Sequence, residues 1–366
     1  VGLGPSASVL NTGSINVSGL GANDNGGDVV VEAANITHDG VISADANAGN
    51  GGTIRLESSG TTLSTGVTTA KSTTGGVGGT VQLLGGQVGL SGHAVVDVSG
   101  SNGGGDALIG GDFQGANPDV RNATATFVGS DVEITADAVN SGDGGKVVVW
   151  ADDVTRFYGD ASANGGAESG DGGLIEVSGK QSLIYHGAVS ASASNGAMGN
   201  ILFDPESLTI EGGAGPGADD GDLDGDIFDF SEGAANSVIS QAAIEAITGS
   251  TLTLQATQQI VTSGTFTGGS LTIDNNTDLV IETRNNATLD AGGTHEIDLN
   301  AQTGTLTIVL QGDGNLEVTT GSGGGTISAD IRLGDILTDE GSVTINSNHD
   351  VTIEGAITTG DLTTDG

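Results

Sequence analysis

Gly52-Thr53-Ile54-Arg55-Leu56 carries the pattern that decides the fold: a glycine, one spacer, then two apolar residues flanking a residue of any kind. The same arrangement recurs as Gly27 with Val29 and Val31, Gly79 with Val81 and Leu83, and Gly105 with Ala107 and Ile109. It continues as Gly145 with Val147 and Val149, Gly173 with Ile175 and Val177, and Gly199 with Ile201 and Phe203. Successive glycines lie 25, 27, 26, 40, 28 and 26 residues apart. The long interval equals one ordinary repeat plus roughly 14 extra residues, placed somewhere in 106–143. Apolar residues at i and i+2 put both side chains on one face of an extended strand. Further short strands, such as Gln87–Leu90 and Ala94–Val98, fall within one repeat. A period near 26 therefore fits three strands and three turns, one coil of a β-solenoid. Such a coil buries its inward face only by stacking on its neighbours. Apolar spacing near 3.6, the mark of amphipathic helices, is almost absent. The motif glycines are expected at corners where φ is positive.

Beyond Phe203 the repeat changes while the strand signal persists, as in Leu252-Thr253-Leu254, Leu271-Thr272-Ile273 and Val343-Thr344-Ile345. Three segments are expected: a β-solenoid of ~26-residue coils over 1–203, a junction over 204–250 with an acidic loop and a short helix, and a Thr-rich β-solenoid over 251–366. Ser240 can cap a helix over 241–247, with Gly249 as the stop and Ile244 and Ile247 on one face. The expected fold class is all-β, a parallel solenoid whose cross-section changes near 204–250. Nothing around Gly360-Asp361-Leu362 reads as a cap, so a longer parent chain is expected.

Composition narrows the function. Of 366 residues, 8 are Lys or Arg and 47 are Asp or Glu, a formal net charge of -39. So few cations cannot neutralise a run of phosphates, which excludes nucleic acid as a partner and disfavours anionic membrane surfaces. Apolar stretches are too short to span a bilayer, so no membrane insertion by this segment is expected. Hydrophobic residues make up 35%, too many for a disordered acidic tail. The cysteine count is zero, which removes disulfides, thiolate metal sites and cysteine nucleophiles, and suits a secreted protein.

One ordered set of blocks stands apart. It runs from Gly111-Asp112-Phe113-Gln114-Gly115 through Asp143-Gly144-Gly145-Lys146-Val147-Val148-Val149-Trp150-Ala151-Asp152 to Thr155-Arg156-Phe157-Tyr158-Gly159. Gly172-Gly173-Leu174-Ile175-Glu176-Val177-Ser178-Gly179-Lys180 and Leu202-Phe203-Asp204-Pro205 complete it. The set resembles the filamentous-haemagglutinin-like exoproteins of bacterial two-partner secretion. That resemblance implies a right-handed parallel β-helix, exported through an outer-membrane two-partner transporter in its full-length form. It implies a secreted or cell-surface location and a role in adhesion, aggregation or biofilm matrix. The family's secretion domain with its Asn-Pro motifs has no match near the N-terminus. The expected function is thus a rod-like adhesin segment, not an enzyme, with a polysaccharide or cell-surface ligand as partner.

Candidate chemistry is sparse. Asp220-Gly221-Asp222-Leu223-Asp224-Gly225-Asp226 has the D-x-D-x-D-G form of a calcium loop, in which alternate carboxylates converge on one hard cation. Asp220, Asp222, Asp224 and Asp226 are the candidate ligands and calcium the candidate cofactor; a solvated acidic loop is the alternative. Ser231, not a glutamate, holds the twelfth position. A polysaccharide lyase or hydrolase is the competing function, but Lys71, Lys146 and Lys180 are scattered and no carboxylate pair stands out. The histidines at 38, 93, 186, 295 and 349 lack metal-ligand spacing and read as turn or surface residues. Trp150, Phe157, Tyr158 and Tyr185 form either a sugar-stacking patch or packing aromatics. Calorimetry with calcium is expected to show binding that Asp222→Ala removes, together with the calcium-dependent rise in melting temperature. Absence of both effects leaves the solvated loop.

Overall fold

The computed structural model describes residues 6–213, 237–274, 276–284, 295–300, 305–320, 329–347 and 350–359. These form two compact units, one of 6–180 with 187–201, the other of 181–186, 202–213 and the described residues from 237 onward. Both are parallel β-helices.

In the first unit each full coil gives one strand to each of three sheets, as the 26-residue period requires. The first sheet stacks Asp28–Ala33, Thr53–Ser58, Thr80–Leu84, Asp106–Ile109, Lys146–Ala151 and Leu174–Gly179 in parallel. The second stacks Ser8–Asn11, Asn35–His38, Thr61–Ser64, Gln87–Leu90, Ala125–Val128 and Val154–Phe157. The third runs from Ser14–Asn16 to Ala188–Ser190. Register fixes the core. Val29, Ile54, Val81, Ala107, Val147 and Ile175 align in one column, and Val31, Leu56, Leu83, Ile109, Val149 and Val177 in the next. All twelve are buried. Each large aliphatic contributes about 1.5–3 kcal/mol relative to exposure, so the stack is held along its whole length.

The motif glycines are present for a reason other than the one expected. None of Gly27, Gly52, Gly79, Gly105, Gly145, Gly173 or Gly199 has a positive φ. Instead, neighbouring coils touch backbone to backbone there. A Cβ on Gly52 would lie 2.0 Å from the Gly27 carbonyl oxygen, one on Gly79 2.1 Å from that of Gly52, and one on Gly105 2.1 Å from that of Gly79. The glycine before each motif is equally confined: a Cβ on Gly78 would lie 1.8 Å from the Val98 oxygen. Coil spacing, not backbone handedness, selects these residues.

Polar groups inside the first unit are satisfied at its corners. Thr62, Thr126 and Thr155 point inward from the second sheet, and their hydroxyls donate to the carbonyls of Leu84, Trp150 and Ser178, each at 2.7 Å. These carbonyls lie at or near the ends of first-sheet strands, where the chain turns toward the second sheet. His38 is also in the core, contrary to the surface reading, at 0% exposure. Its Nε2–H donates to the Val67 carbonyl at 3.2 Å and its Nδ1 accepts from Asn11 Nδ2 at 3.1 Å, an arrangement that keeps the ring neutral. Burial pushes its pKa below the ordinary histidine value, against the pull of those bonds and of Asp39.

The second unit is built on the same principle with a different side. Its first ladder stacks Ser250–Ala256, Asp278–Thr283, Leu316–Thr320 and Val343–Asn346. Another joins Ser207–Glu211 to Gln259–Ser263, His295–Asp298, Ala329–Leu333 and Val351–Ile353. Val238–Ser240 slots in parallel between Ile184-Tyr185 and Thr209-Ile210-Glu211, out of chain order. A third ladder runs from Ser270–Ile273 to Ile357–Thr359. The expected helix is present as Gln241–Glu245, capped by the Ser240 hydroxyl accepting from Ala243 N–H at 3.1 Å, with Ile244 and Ile247 buried. It sits against Ser270–Ile273: Gln241 Oε1 accepts from Thr267 N–H and Glu245 Oε1 from Thr272 N–H, at 2.8 and 2.9 Å. A helix on one side of a coil is the change of cross-section.

Glycine contact makes a direct prediction. Gly79→Ala is expected to cost about 3 kcal/mol, because the carbonyl it meets is backbone and cannot step aside. Gly92 has φ of 55° with nothing within 4 Å of an added Cβ, and Gly92→Ala is expected to cost only about 1 kcal/mol. Chemical denaturation of both variants separates the effects, and equal losses would refute coil contact as the selecting force.

Candidate functional site

The extra residues in the long repeat form a loop, 110–124, at a corner that other coils turn with one or two residues. This loop explains an oddity in the sequence, the unbroken apolar run Val147-Val148-Val149-Trp150. Val147 and Val149 face the core, whereas Val148 and Trp150 point outward, yet all four are buried. Loop residue Val120 covers them, packing with Leu84, Leu108, Val148 and Trp150 as a second apolar cluster on the outer face of the first sheet. A strand buried on both faces is uniformly apolar, which is why alternation disappears here.

Hydrogen bonds pin the loop at both ends. Asp112 caps the short 3₁₀ turn Phe113–Gly115 by accepting from Phe113 N–H at 2.8 Å, and accepts from Lys146 Nζ at 2.9 Å and Asn117 Nδ2 at 2.8 Å. Burial acts to raise the Asp112 pKa, but these donors outweigh it and hold the carboxyl below its ordinary value. Gln114 has φ of 54°, unusual for a side chain other than glycine, and its N–H donates at 2.8 Å to Glu176, which is 0% exposed. Asn122 Nδ2 donates to the Gly115 carbonyl and to Asp152, both at 3.0 Å, while Trp150 Nε1 donates to the same Asp152 oxygen at 3.1 Å. Gly115 is required, since a Cβ there would lie 2.6 Å from the indole. Asp106, beside Lys146, is pushed up by burial, with Lys146 opposing and Asp112 adding to the rise. Three of the five sequence blocks quoted above thus meet in one place: Asp112 and Gln114 from the first, Lys146, Trp150 and Asp152 from the second, and Glu176 from the fourth.

No family model matches the chain, and no curated protein matches it. Geometry alone therefore assigns roles here. The loop cluster binds its own chain: each carboxylate that reaches the loop already accepts from a loop donor.

A second group of charges lies in the second unit. Asp204 follows Phe203 at a corner, its side chain 11% exposed, with Arg284 Nη1 at 3.5 Å. Burial pushes the Asp204 pKa up to about 6, with Arg284 opposing and Glu282 adding. Glu282 is raised by burial too, with Arg284 opposing and Glu317 adding.

The remaining sequence candidates separate clearly. Asp220, Asp222, Asp224 and Asp226 lie outside the described residues. Among the described residues, no group of three or more His, Asp or Glu side chains is arranged to hold a metal ion. Trp150, Phe157 and Tyr185 are buried, and Tyr185 stacks obliquely on Phe203 at 4.5 Å between ring centroids. Tyr158 is half-buried against Phe127. These aromatics pack the protein and offer no open stacking platform. Lys146 is not an isolated cation but the partner of Asp112. Asn122 and Arg121, which clamp the loop to Asp152 and Glu57, carried no signal in the sequence.

Trp150 is the chain's one tryptophan, so its fluorescence reports the loop directly. Val120→Asp is expected to shift its emission to the red and cost about 3 kcal/mol, the scale of losing a buried aliphatic contact and gaining an unpaired charge. Phe113→Ser, at an exposed loop position, is the control expected to leave the emission unchanged. A blue emission retained in Val120→Asp would show that the loop does not shield the indole.

Proposed function

We propose that the chain is a segment of a secreted or cell-surface bacterial adhesin, acting in cell adhesion, aggregation or biofilm matrix. One observation supports this reading above the others. Inner columns of the first sheet repeat the same aliphatic chemistry from coil to coil. On the part of this sheet that loop 110–124 leaves open, the outward column beside them holds Val30, Arg55 and Gln82 in strict register. The ladder fixes the position of each outward residue while leaving its chemistry free, which is what a contact surface needs and a single reaction centre does not. The sequence blocks that resemble filamentous-haemagglutinin-like exoproteins support the same reading, as does a composition rich in acidic residues.

The mechanism is interfacial. Polar outward side chains meet a polysaccharide or a cell-surface ligand, and the hydrogen-bonded ladder between coils resists separation because many backbone bonds share a load applied along the stack. Divalent calcium would offset part of the net charge of -39 and bridge acidic glycans to acidic protein. Export through an outer-membrane transporter belongs to the same reading.

The purified chain is expected to bind members of an acidic and neutral glycan array, more strongly with calcium present, and to aggregate glycan-coated beads without releasing reducing or unsaturated ends. Turnover of a pectin-like polymer would replace the adhesin with a polysaccharide-cleaving enzyme. Absence of both binding and turnover would reduce the segment to a spacer.

A further inference from the structure

We infer that the second unit contains an acid-strengthened corner, in which Asp204 and Glu282 share the single guanidinium of Arg284 and take up a proton as the pH falls. Geometry comes first. Asp204 sits between Phe203 and Pro205, where the chain leaves one strand and turns toward Ser207–Glu211. Arg284 closes Asp278–Thr283, and Glu282 lies two residues before it on that strand. Glu317 stands two residues out of register on the next strand, since Val280 pairs with Glu317 and Glu282 with Thr319. Glu206 is engaged elsewhere, accepting from Gln258 Nε2. His186, from the neighbouring strand end, faces Glu211.

Three carboxylates therefore act on this corner against the one guanidinium. Ionising them all leaves net negative charge around Asp204, whose side chain is 11% exposed, and solvent cannot screen that carboxylate fully. Binding one proton relieves the excess. The direction of the Asp204 and Glu282 shifts agrees with this account.

The consequence for stability follows by linkage. A carboxyl raised in the folded state holds its proton where the unfolded chain has lost it, so stability falls as pH rises from about 4 and the loss is complete only above the folded value, about 6. Acidification from neutrality therefore strengthens the second unit. The first unit carries opposed contributions. His38 is kept neutral in the core by burial, so below about pH 6.5 the unfolded chain binds a proton that the folded chain refuses, which lowers stability, whereas Asp106, raised by burial, acts in the same sense as Asp204. His186, also lowered by burial with Glu211 opposing, works against Asp204 within the second unit. His186→Asn is expected to sharpen the acid strengthening.

The decisive measurement is a carbon-detected NMR titration of the Asp204 carboxyl in the full chain. The expected midpoint is near 6, moved down by Glu282→Gln and up by Arg284→Gln. A midpoint near 4 that ignores both substitutions overturns the inference without requiring any variant of Asp204 to fold. In parallel, Asp204→Asn is expected to raise the melting temperature at neutral pH and to reduce its rise on acidification, measured in a His38→Asn, His186→Asn background. An unchanged pH slope in Asp204→Asn would assign the response to the general charge of the chain instead.

Discussion

Everything in this protein answers to the spacing of a parallel backbone ladder. Strands in one sheet must lie about 4.8 Å apart to hydrogen-bond, and a coil belonging to three sheets meets that distance on all sides at once. Two consequences are visible in the residues. At the corners where whole coils touch, even a methyl group is too large, so Gly52 packs on Gly27, Gly79 on Gly52 and Gly105 on Gly79. Along the strands, every inward side chain lies on the equivalent residue of the coil before. A column must therefore be filled with groups that pack on themselves, and aliphatics do this with least cost.

The ladder also explains which parts of the fold can be read from sequence. Column-forming residues recur at a fixed offset from their glycine, so the period, the three strands per coil and the helix cap at Ser240 were legible. The role of the glycines was not, because a pattern of glycines looks the same whether φ or a neighbouring carbonyl demands it. His38 was misread for a related reason: its partners, Asn11 and Val67, lie one coil away on either side, and no local signal links them. The outer cluster under loop 110–124 was half visible. Val147-Val148-Val149-Trp150 announces a strand with two buried faces, but nothing in the run says that Val120, some thirty residues earlier, provides the cover.

Charge is handled with economy. Among the described residues, Lys71, Arg121, Lys146, Arg284 and Arg332 pair with carboxylates of other strands or loops, and Arg55 pairs with Glu57 on its own strand. Ion pairs this exposed contribute about 0–1 kcal/mol each, too little to hold the stack together. Their effect is positional. Lys146 orients Asp112 and hence the loop, and Arg121 ties the same loop to Glu57 of a coil two rungs back.

Burial turns one such pair into something more than a tether. Asp106 and Asp112 flank Lys146 much as Glu282 and Asp204 flank Arg284, two carboxylates to one cation in each place. In the first corner the loop supplies extra donors, Asn117 Nδ2 and Phe113 N–H, and Asp112 stays ionised with its pKa lowered. Asp204 has a more distant cation at 3.5 Å and a deeper position, and its pKa rises instead. The same charge count thus yields a permanent clasp where backbone and amide donors are present, and a proton-responsive corner where burial outweighs them. What separates the two is the balance of burial against the groups that favour the charged carboxylate, which Lys146 and the donors of loop 110–124 tip toward ionisation at Asp112.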